Sequence, residues 1–367
     1  MSLQYLHIEH PFVLESGAVL PRLTLAFTTH GQLNARKDNV VWVCHALTGN
    51  ADPTEWWGGL VGPGQVIDPA RHFIVCANML GSCYGSSGPH DLNPATGRAY
   101  GLDFPLVTTR DLARSHALLA NYLQLDRIQL SIGGSMGGQQ VLEWALLEPE
   151  RLERICVLAS NAQHTPWGIA FNESQRMALR TDPTFGTNAP DAGRAGLETA
   201  RAIAMLSYRH PLTYNGSQAE TDDRKLEDFR AASYQRYQGF KLWKRFTPES
   251  YWSLSRTMDT HNIGRGRGGL KSALGRIQAK SLIIGIDTDM LFTIAEQSFL
   301  AEHIPDARFE IISSEFGHDG FLTETRSVSA LLRSFLTDSF NGRKPSPLLK
   351  QNMGLKLGAA IPGSESF

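Results

Sequence analysis

Short apolar runs alternate with longer amphipathic stretches along the chain. Residues 40–44 (VVWVC), 72–77 (HFIVCA), 128–132 (IQLSI), 155–159 (ICVLA), 281–286 (SLIIGI) and 309–312 (FEII) are bounded by Gly, Pro, Asn or Asp. Their hydrophobicity is continuous rather than alternating, which suits strands buried on both faces. Segments 109–123, 138–147, 294–303 and 328–336 carry apolar residues three and four positions apart, as amphipathic helices do, and separate most of the runs. The order strand, helix, strand, helix predicts an α/β fold with a mostly parallel central sheet and helices on both faces.

That rhythm breaks between residues 165 and 272. Strand-like runs disappear, and helix formers mix with Trp167, Tyr208, Tyr234, Tyr237, Trp243 and Trp252. The alternation resumes at Ala279. The expected organisation is one sheet domain, residues 1–164 and 273–340, enclosing a helical insertion over 165–272. Residues 341–367, rich in Gly, Pro, Ser and Lys, read as a disordered or loosely docked C-terminal tail.

Composition adds mainly exclusions. The 367 residues are 42% hydrophobic, and 35 Lys plus Arg against 36 Asp plus Glu leave a formal net charge of -1. No global field favours nucleic acid or an anionic membrane, so neither is an expected partner. The segment MSLQYLHIEHPFVLESG lacks a basic leader with an apolar core, and no apolar run approaches the roughly 18 residues of a membrane span, so the expectation is a soluble cytoplasmic protein. Cys44, Cys76, Cys83 and Cys156 show no zinc-like spacing; three lie in strand-like runs and read as reduced core thiols, while Cys83 lies in the loop GSCYGSSGP. No metal site is indicated.

Chemistry concentrates in LSIGGSMGGQQ, residues 130–140. Gly133-Gly134-Ser135-Met136-Gly137 fits G-x-S-x-G between a strand and a helix. In such a nucleophile elbow the serine takes a strained backbone conformation, tolerated only if the residues two before and two after lack side chains. The turn lifts the hydroxyl above the sheet edge and aims the Met136 amide and the positive end of the next helix at any oxyanion formed there. A dinucleotide fold would instead place G-x-G-x-x-G near the first strand, with an acid some 20 residues later.

A serine nucleophile needs a base, and the base an orienting acid, in the chain order Ser, acid, His. After SLIIGI comes DTDMLF, with Asp287 and Asp289; after FEIIS comes SEFGHDGF, with His318. Both segments follow strands, at the sheet edge where Ser135 emerges. His318 is the expected base, and Asp289 is preferred to Asp287 as the acid. A second oxyanion donor should come from a loop after an early strand; in VVWVCHALTGNAD the amide of Leu47 fits, and His45 reads as a residue that holds the loop.

With those pieces in place, the sequence resembles the homoserine O-acetyltransferase family of the α/β-hydrolase superfamily. HALTGNAD, NMLGSCYGSSGP, NPATGRAYGLDFP, GGSMGGQQVLEWA, FNESQR, SYQRYQGFKLWKRFTPESYWSLSRTMDTHNIGRGRG, DTDMLF and GHDGFL resemble family motifs in family order. The resemblance implies an α/β-hydrolase core with a helical lid, a homodimer formed through that lid, and transfer of acetyl from acetyl-CoA, a substrate and not a cofactor, to the hydroxyl of L-homoserine in methionine biosynthesis. It assigns Ser135, Asp289 and His318 as the triad, and Leu47 and Met136 as the oxyanion amides. It also implies a lid arginine for the amino acid's carboxylate and Asp319 for its amine. Arg201 is the favoured arginine, sharing a helical face with Tyr208, which joins the expected substrate site; Arg209 is the alternative. The chain departs from the family in having Thr293 where a proline usually follows D-x-L-F.

Rival readings keep the scaffold and change the chemistry: a serine esterase, a homoserine O-succinyltransferase or a serine O-acetyltransferase. GRGRGG, residues 264–269, contains a formal G-x-G-x-x-G but follows no strand; it reads as a lid loop whose Arg265 or Arg267 could meet CoA phosphates.

Overall fold

The computed structural model describes residues 2–337, so the expected tail at 341–367 lies outside the described residues. Eight strands form the main sheet: β1 (Gln4–Ile8), β2 (Leu23–His30), β3 (Val40–Cys44), β4 (Phe73–Ala77), β5 (Leu130–Gly134), β6 (Arg154–Leu158), β7 (Lys280–Ile286) and β8 (Ala307–Ile312). Their spatial order is β1-β2-β4-β3-β5-β6-β7-β8. β1 and β2 are antiparallel to each other, and β2 to β4; every other neighbouring pair is parallel.

The continuous apolar runs have a direct cause. Val40, Trp42 and Cys44 of β3 enter the core on one face of the sheet, while Val41 and Val43 enter the core on the other. β6 divides in the same way, Ile155 and Val157 against Cys156 and Leu158. A strand covered on both sides has no polar side to show. β1 differs: at this edge Tyr5 and His7 are exposed while Leu6 and Ile8 are buried, so a search for continuous runs passes over it.

Four helices follow strands of the sheet: α1 (Thr109–Tyr122), α2 (Met136–Leu147), then α9 (Ile294–His303) and α10 (Thr325–Leu336). α1 begins in a reciprocal capping box between Thr108 and Asp111. α2 starts two residues earlier than its apolar spacing indicates, because Gly137 is already helical. Between β6 and β7 run α3 (Pro166–Thr181), α4 (Arg194–Tyr208), α5 (Pro211–Ser217), α6 (Arg230–Trp243), α7 (Pro248–Asp259) and the short α8 (Leu270–Leu274). α3 and α7 each open with a threonine cap followed by proline, a pairing that fits the first helical turn, where proline's missing N–H is not needed. α4 packs between α3 and α6.

Where the chain returns from these helices to the sheet, ionic groups replace apolar ones. Fully buried Glu143 of α2 accepts from Arg267 Nη1 at 2.8 Å and from Arg110 Nε at 3.4 Å. Arg110 also meets Glu15 at 2.6 Å, and Glu15 is held by Arg265 through both carboxylate oxygens at 3.1 Å. The two arginines of GRGRGG are therefore committed to a structural cluster, which corrects the expectation that either meets CoA phosphates. Glu143→Ala would leave two guanidiniums facing a buried hole, and the expected loss is about 3 kcal/mol or more in denaturant unfolding. A loss below about 0.5 kcal/mol would show that solvent already compensates the cluster.

Candidate active site

Ser135 sits between β5 and α2 with φ 56° and ψ -126°, a backbone region that costs a non-glycine residue of order 1–3 kcal/mol. The surroundings over-determine it. Its N–H donates to the Leu158 carbonyl at 2.9 Å, and its own carbonyl accepts from Ser160 Oγ at 2.8 Å. A Cβ on Gly133 would lie 2.4 Å from the Gly137 carbonyl carbon, and one on Gly137 would lie 2.2 Å from the Cys44 oxygen. The two glycines let the strand end, the helix start and β3 pass at backbone distance.

His318 lies in the loop after β8. Its Nδ1 is 2.7 Å from Asp289 Oδ2, and the other carboxylate oxygen of Asp289 accepts from the Leu291 and Phe292 amides at 2.8 and 2.9 Å. With Nδ1–H donating to the carboxylate, the Nε2 lone pair is left for chemistry. Phe292 stacks on the imidazole at 5.0 Å between centroids, and Phe321 and Tyr208 flank it at 5.3 and 5.8 Å. Asp287 does something else. Its Oδ1 accepts from Ser314 N at 3.0 Å, and Thr288 Oγ1 donates to the Ser314 carbonyl and accepts from Gly317 N, so these two residues tie the acid's loop to the histidine's loop.

The Leu47 amide is aimed by the peptide to which it belongs. In a trans peptide C=O and N–H point in opposite directions. The Ala46 carbonyl accepts from Gly49 N at 2.8 Å and from His45 Nδ1 at 2.9 Å, which turns the Leu47 N–H the other way. Met79 N donates to His45 Nε2 at 3.1 Å, so this ring is neutral and carries its proton on Nδ1. Burial lowers its pKa to about 4, which keeps it so. Among the described residues the Leu47 amide finds no acceptor. The Met136 amide, at the first position of α2, has no acceptor within its helix.

Ser135, His318 and Leu47 line one cavity of 640 Å³, together with Arg201, Tyr208 and Asp319. Arg201 lies over the Tyr208 ring, 5.2 Å from its centroid, and has no carboxylate partner among the described residues. Burial pushes the Tyr208 phenol up. Arg209 instead stands beside Asp319, with Nε 2.7 Å from Oδ2, although the N–H is not aligned as a hydrogen bond. One arginine thus faces the cavity, and the other sets the position of its carboxylate. Tyr84, from the loop GSCYGSSGP that reads as a pocket-lining turn, lines the same cavity, and so do Lys241 and Arg245, which the sequence did not single out. No local pattern could mark Arg245, whose partner Thr48 is 197 positions away. Cys83 lies beside Arg245, with Sγ 3.8 Å from the Arg245 carbonyl and its thiol raised by burial. Among the described residues no cluster of three or more His, Cys, Asp or Glu could hold a metal ion, and no helix is long and apolar enough to cross a membrane.

The model of the alpha/beta hydrolase fold family matches residues 39–325. A homoserine O-acetyltransferase of Cyclobacterium marinum is 51% identical over 339 residues, 92% of this chain and 96% of that protein. The chain belongs to the homoserine O-acetyltransferase family. A solved homoserine O-acetyltransferase from Staphylococcus aureus superposes with a TM-score of 0.77 at 28% identity, covering 95% of this chain and 99% of that one. The acetyl esterase MekB superposes with a TM-score of 0.82 at 26% identity, covering 92% and 97%. Members of the homoserine O-acetyltransferase family therefore share this scaffold with an ester hydrolase, and only the lining of the cavity can distinguish the two chemistries.

Three further imidazoles are buried like His45. Burial lowers His116 and His164 to about 4 and His261 to about 3. Unfolded histidines take up a proton near pH 6.5, so below that point protonation favours the unfolded chain. Stability is complete above about pH 6.5 and falls as the pH drops toward 4, by up to about 1.4 kcal/mol per pH unit for each ring. The urea midpoint at about pH 5 is expected to lie below that at about pH 7.5; equal midpoints would show that these rings are not held neutral.

Proposed function

We propose that this protein transfers an acetyl group from acetyl-CoA to the side-chain hydroxyl of L-homoserine through an acetyl-Ser135 intermediate. The observation that carries the reading is the presence, inside the cavity of Ser135 and His318, of an arginine with no carboxylate partner among the described residues, Arg201, together with a carboxylate, Asp319. An amino acid presents a carboxylate and an ammonium a few ångströms apart, and this pair complements both. An ester hydrolase needs neither. The family relationship supports homoserine as the acceptor.

In this scheme His318, oriented by Asp289, takes the Ser135 proton as Oγ attacks the thioester carbonyl, and the Leu47 and Met136 amides stabilise the oxyanion. His318 gives that proton to the departing sulfur, so CoA leaves as the thiol and the imidazole is neutral again, ready to act as base. Homoserine enters with its carboxylate on Arg201 and its ammonium on Asp319, loses its hydroxyl proton to His318 and takes the acetyl group. Tyr208, between Arg201 and His318, forms the wall against which the amino acid lies. Positioned groups reach effective molarities of about 10⁵ M, enough to outrun water at the acyl-enzyme. The helices between β6 and β7 act as the lid that limits water's access. The product is an activated homoserine of the kind used on the way to methionine, in the cytoplasm. Exposed Trp167, Met177, Leu206 and Leu212 on those helices supply apolar surface for a homodimer.

A serine esterase is the second reading, favoured by the likeness to MekB. Intact-protein mass spectrometry after mixing with acetyl-CoA alone should show one acetyl group, absent in Ser135→Ala; a succinyl adduct from succinyl-CoA and none from acetyl-CoA would change the donor. O-acetylhomoserine should then appear only when homoserine is added. Arg201→Met is expected to raise KM for homoserine by roughly 10- to 100-fold, the loss of a charged hydrogen-bonded contact. An unchanged KM, with Arg209→Met raising it instead, would reverse the two arginines.

A further inference from the structure

The cavity that holds Ser135 and Asp319 is also lined by a cation that neither step above uses. Arg245 lies two residues beyond the end of α6, in the helical segment, yet its guanidinium reaches the turn that carries Leu47. Nη1 donates to the Thr48 carbonyl at 2.5 Å and to Tyr84 Oη at 3.1 Å, and Nη2 donates to Thr48 Oγ1 at 3.2 Å. Tyr84 Oη donates in turn to the Arg245 carbonyl at 2.7 Å, closing a ring of contacts that fixes the side chain. Among the described residues no carboxylate lies within ion-pair distance of this guanidinium, so its charge stays unneutralised on the cavity wall.

The turn from Ala46 to Gly49 is gripped from two sides. On the core side, the His45 ring and Gly49 N hold the Ala46 carbonyl, and Gln140 Nε2 donates to the His45 carbonyl at 3.1 Å. On the outer side Arg245 grips both oxygens of Thr48, the one such grip among the described residues. Leu47 lies between the two grips. A forked guanidinium fixes two oxygens at once, which a lysine ammonium does not do with the same geometry.

We infer that Arg245 is a positioning residue for acyl transfer: it ties the helical segment to the turn bearing the Leu47 amide, so that the second oxyanion donor is in place only while that segment is docked. The inference rests on Leu47 acting as an oxyanion donor. It predicts that acylation of Ser135 depends on Arg245 even for a donor that carries no phosphate.

The test uses p-nitrophenyl acetate, an acetyl donor with nothing for a cation to bind beyond the ester, beside acetyl-CoA, in the full-length protein. Arg245→Met should slow p-nitrophenol release by about 10- to 100-fold, short of the roughly 10²- to 10³-fold loss typical of deleting an oxyanion donor outright. KM for homoserine should stay where it is. Arg245→Lys, which keeps the charge and loses the fork, should remain slow, and Thr48→Val should show a smaller loss in the same direction. Arg245 is exposed, so these variants should fold, and thermal midpoints check this. Full activity of Arg245→Met on p-nitrophenyl acetate, with a raised KM for acetyl-CoA, would overturn the inference by assigning Arg245 to the donor's phosphates. Recovery of normal rates in Arg245→Lys would overturn it too, since charge alone would then suffice. If the acetyl-CoA and homoserine reading itself is wrong, the wild-type protein makes no O-acetylhomoserine, while the rates on p-nitrophenyl acetate still decide the role of Arg245.

Discussion

The left-handed backbone at Ser135 is the constraint on which the site depends. A residue with φ 56° at the end of a buried strand can persist only if its neighbours leave no room for another arrangement. Here the strand end, the first turn of α2 and the end of β3 meet as bare backbone, with a Gly137 Cβ position 2.2 Å from the Cys44 oxygen. That close approach also places α2 directly behind the turn that bears Leu47. Ser135 and the turn that bears Leu47 are thus set by one three-way contact, and a shift in either would be transmitted to the other.

The polar groups around this contact are arranged so that few can rotate. The Asp289 carboxylate spends one oxygen on two backbone amides and the other on His318, and Asp287 and Thr288 fasten the two loops to each other. His45 is fixed in one tautomer by the amide of Met79. Electrostatic stabilisation of an oxyanion is effective when its dipoles are already aligned, because no reorganisation is then needed as charge develops. The cavity side is freer: Arg201 rests on the aromatic face of Tyr208 and has no carboxylate partner among the described residues.

How much of this is readable from the sequence depends on how local each cause is. β3 and β6 are legible because they are buried on both faces, and Ser135 and Asp289 are legible as candidates because each follows such a strand; His318 follows the apolar run of β8, which lies at the sheet edge with Ile311 exposed. The antiparallel strands β1 and β2 escape a search for continuous apolar runs; at the edge, β1 shows Tyr5 and His7 to solvent. Asp287 and Asp289 are chemically alike and two residues apart, and only the fold shows that one meets an imidazole and the other a backbone amide. Arg265 and Arg267 resemble a ligand loop in sequence, whereas their partners Glu15 and Glu143 lie in segments that no local pattern connects to them. Long-range pairing is the common reason for what stays hidden.

That ionic cluster bears on how the molecule is assembled. Glu15 and Arg265 stand 250 positions apart, and Arg110 bridges them from a third segment. A contact of that sequence separation has its loop-closure entropy to meet before the pairing offsets it. The segment that carries Glu15 can settle early against Arg110, but its glutamate has no arginine from GRGRGG until synthesis has passed every helix that precedes that loop. The order of emergence from the ribosome therefore sets the earliest moment at which the helical segment can be anchored to the N-terminal segment: the contact of Glu15 with Arg265 waits for residue 265, while its contact with Arg110 does not.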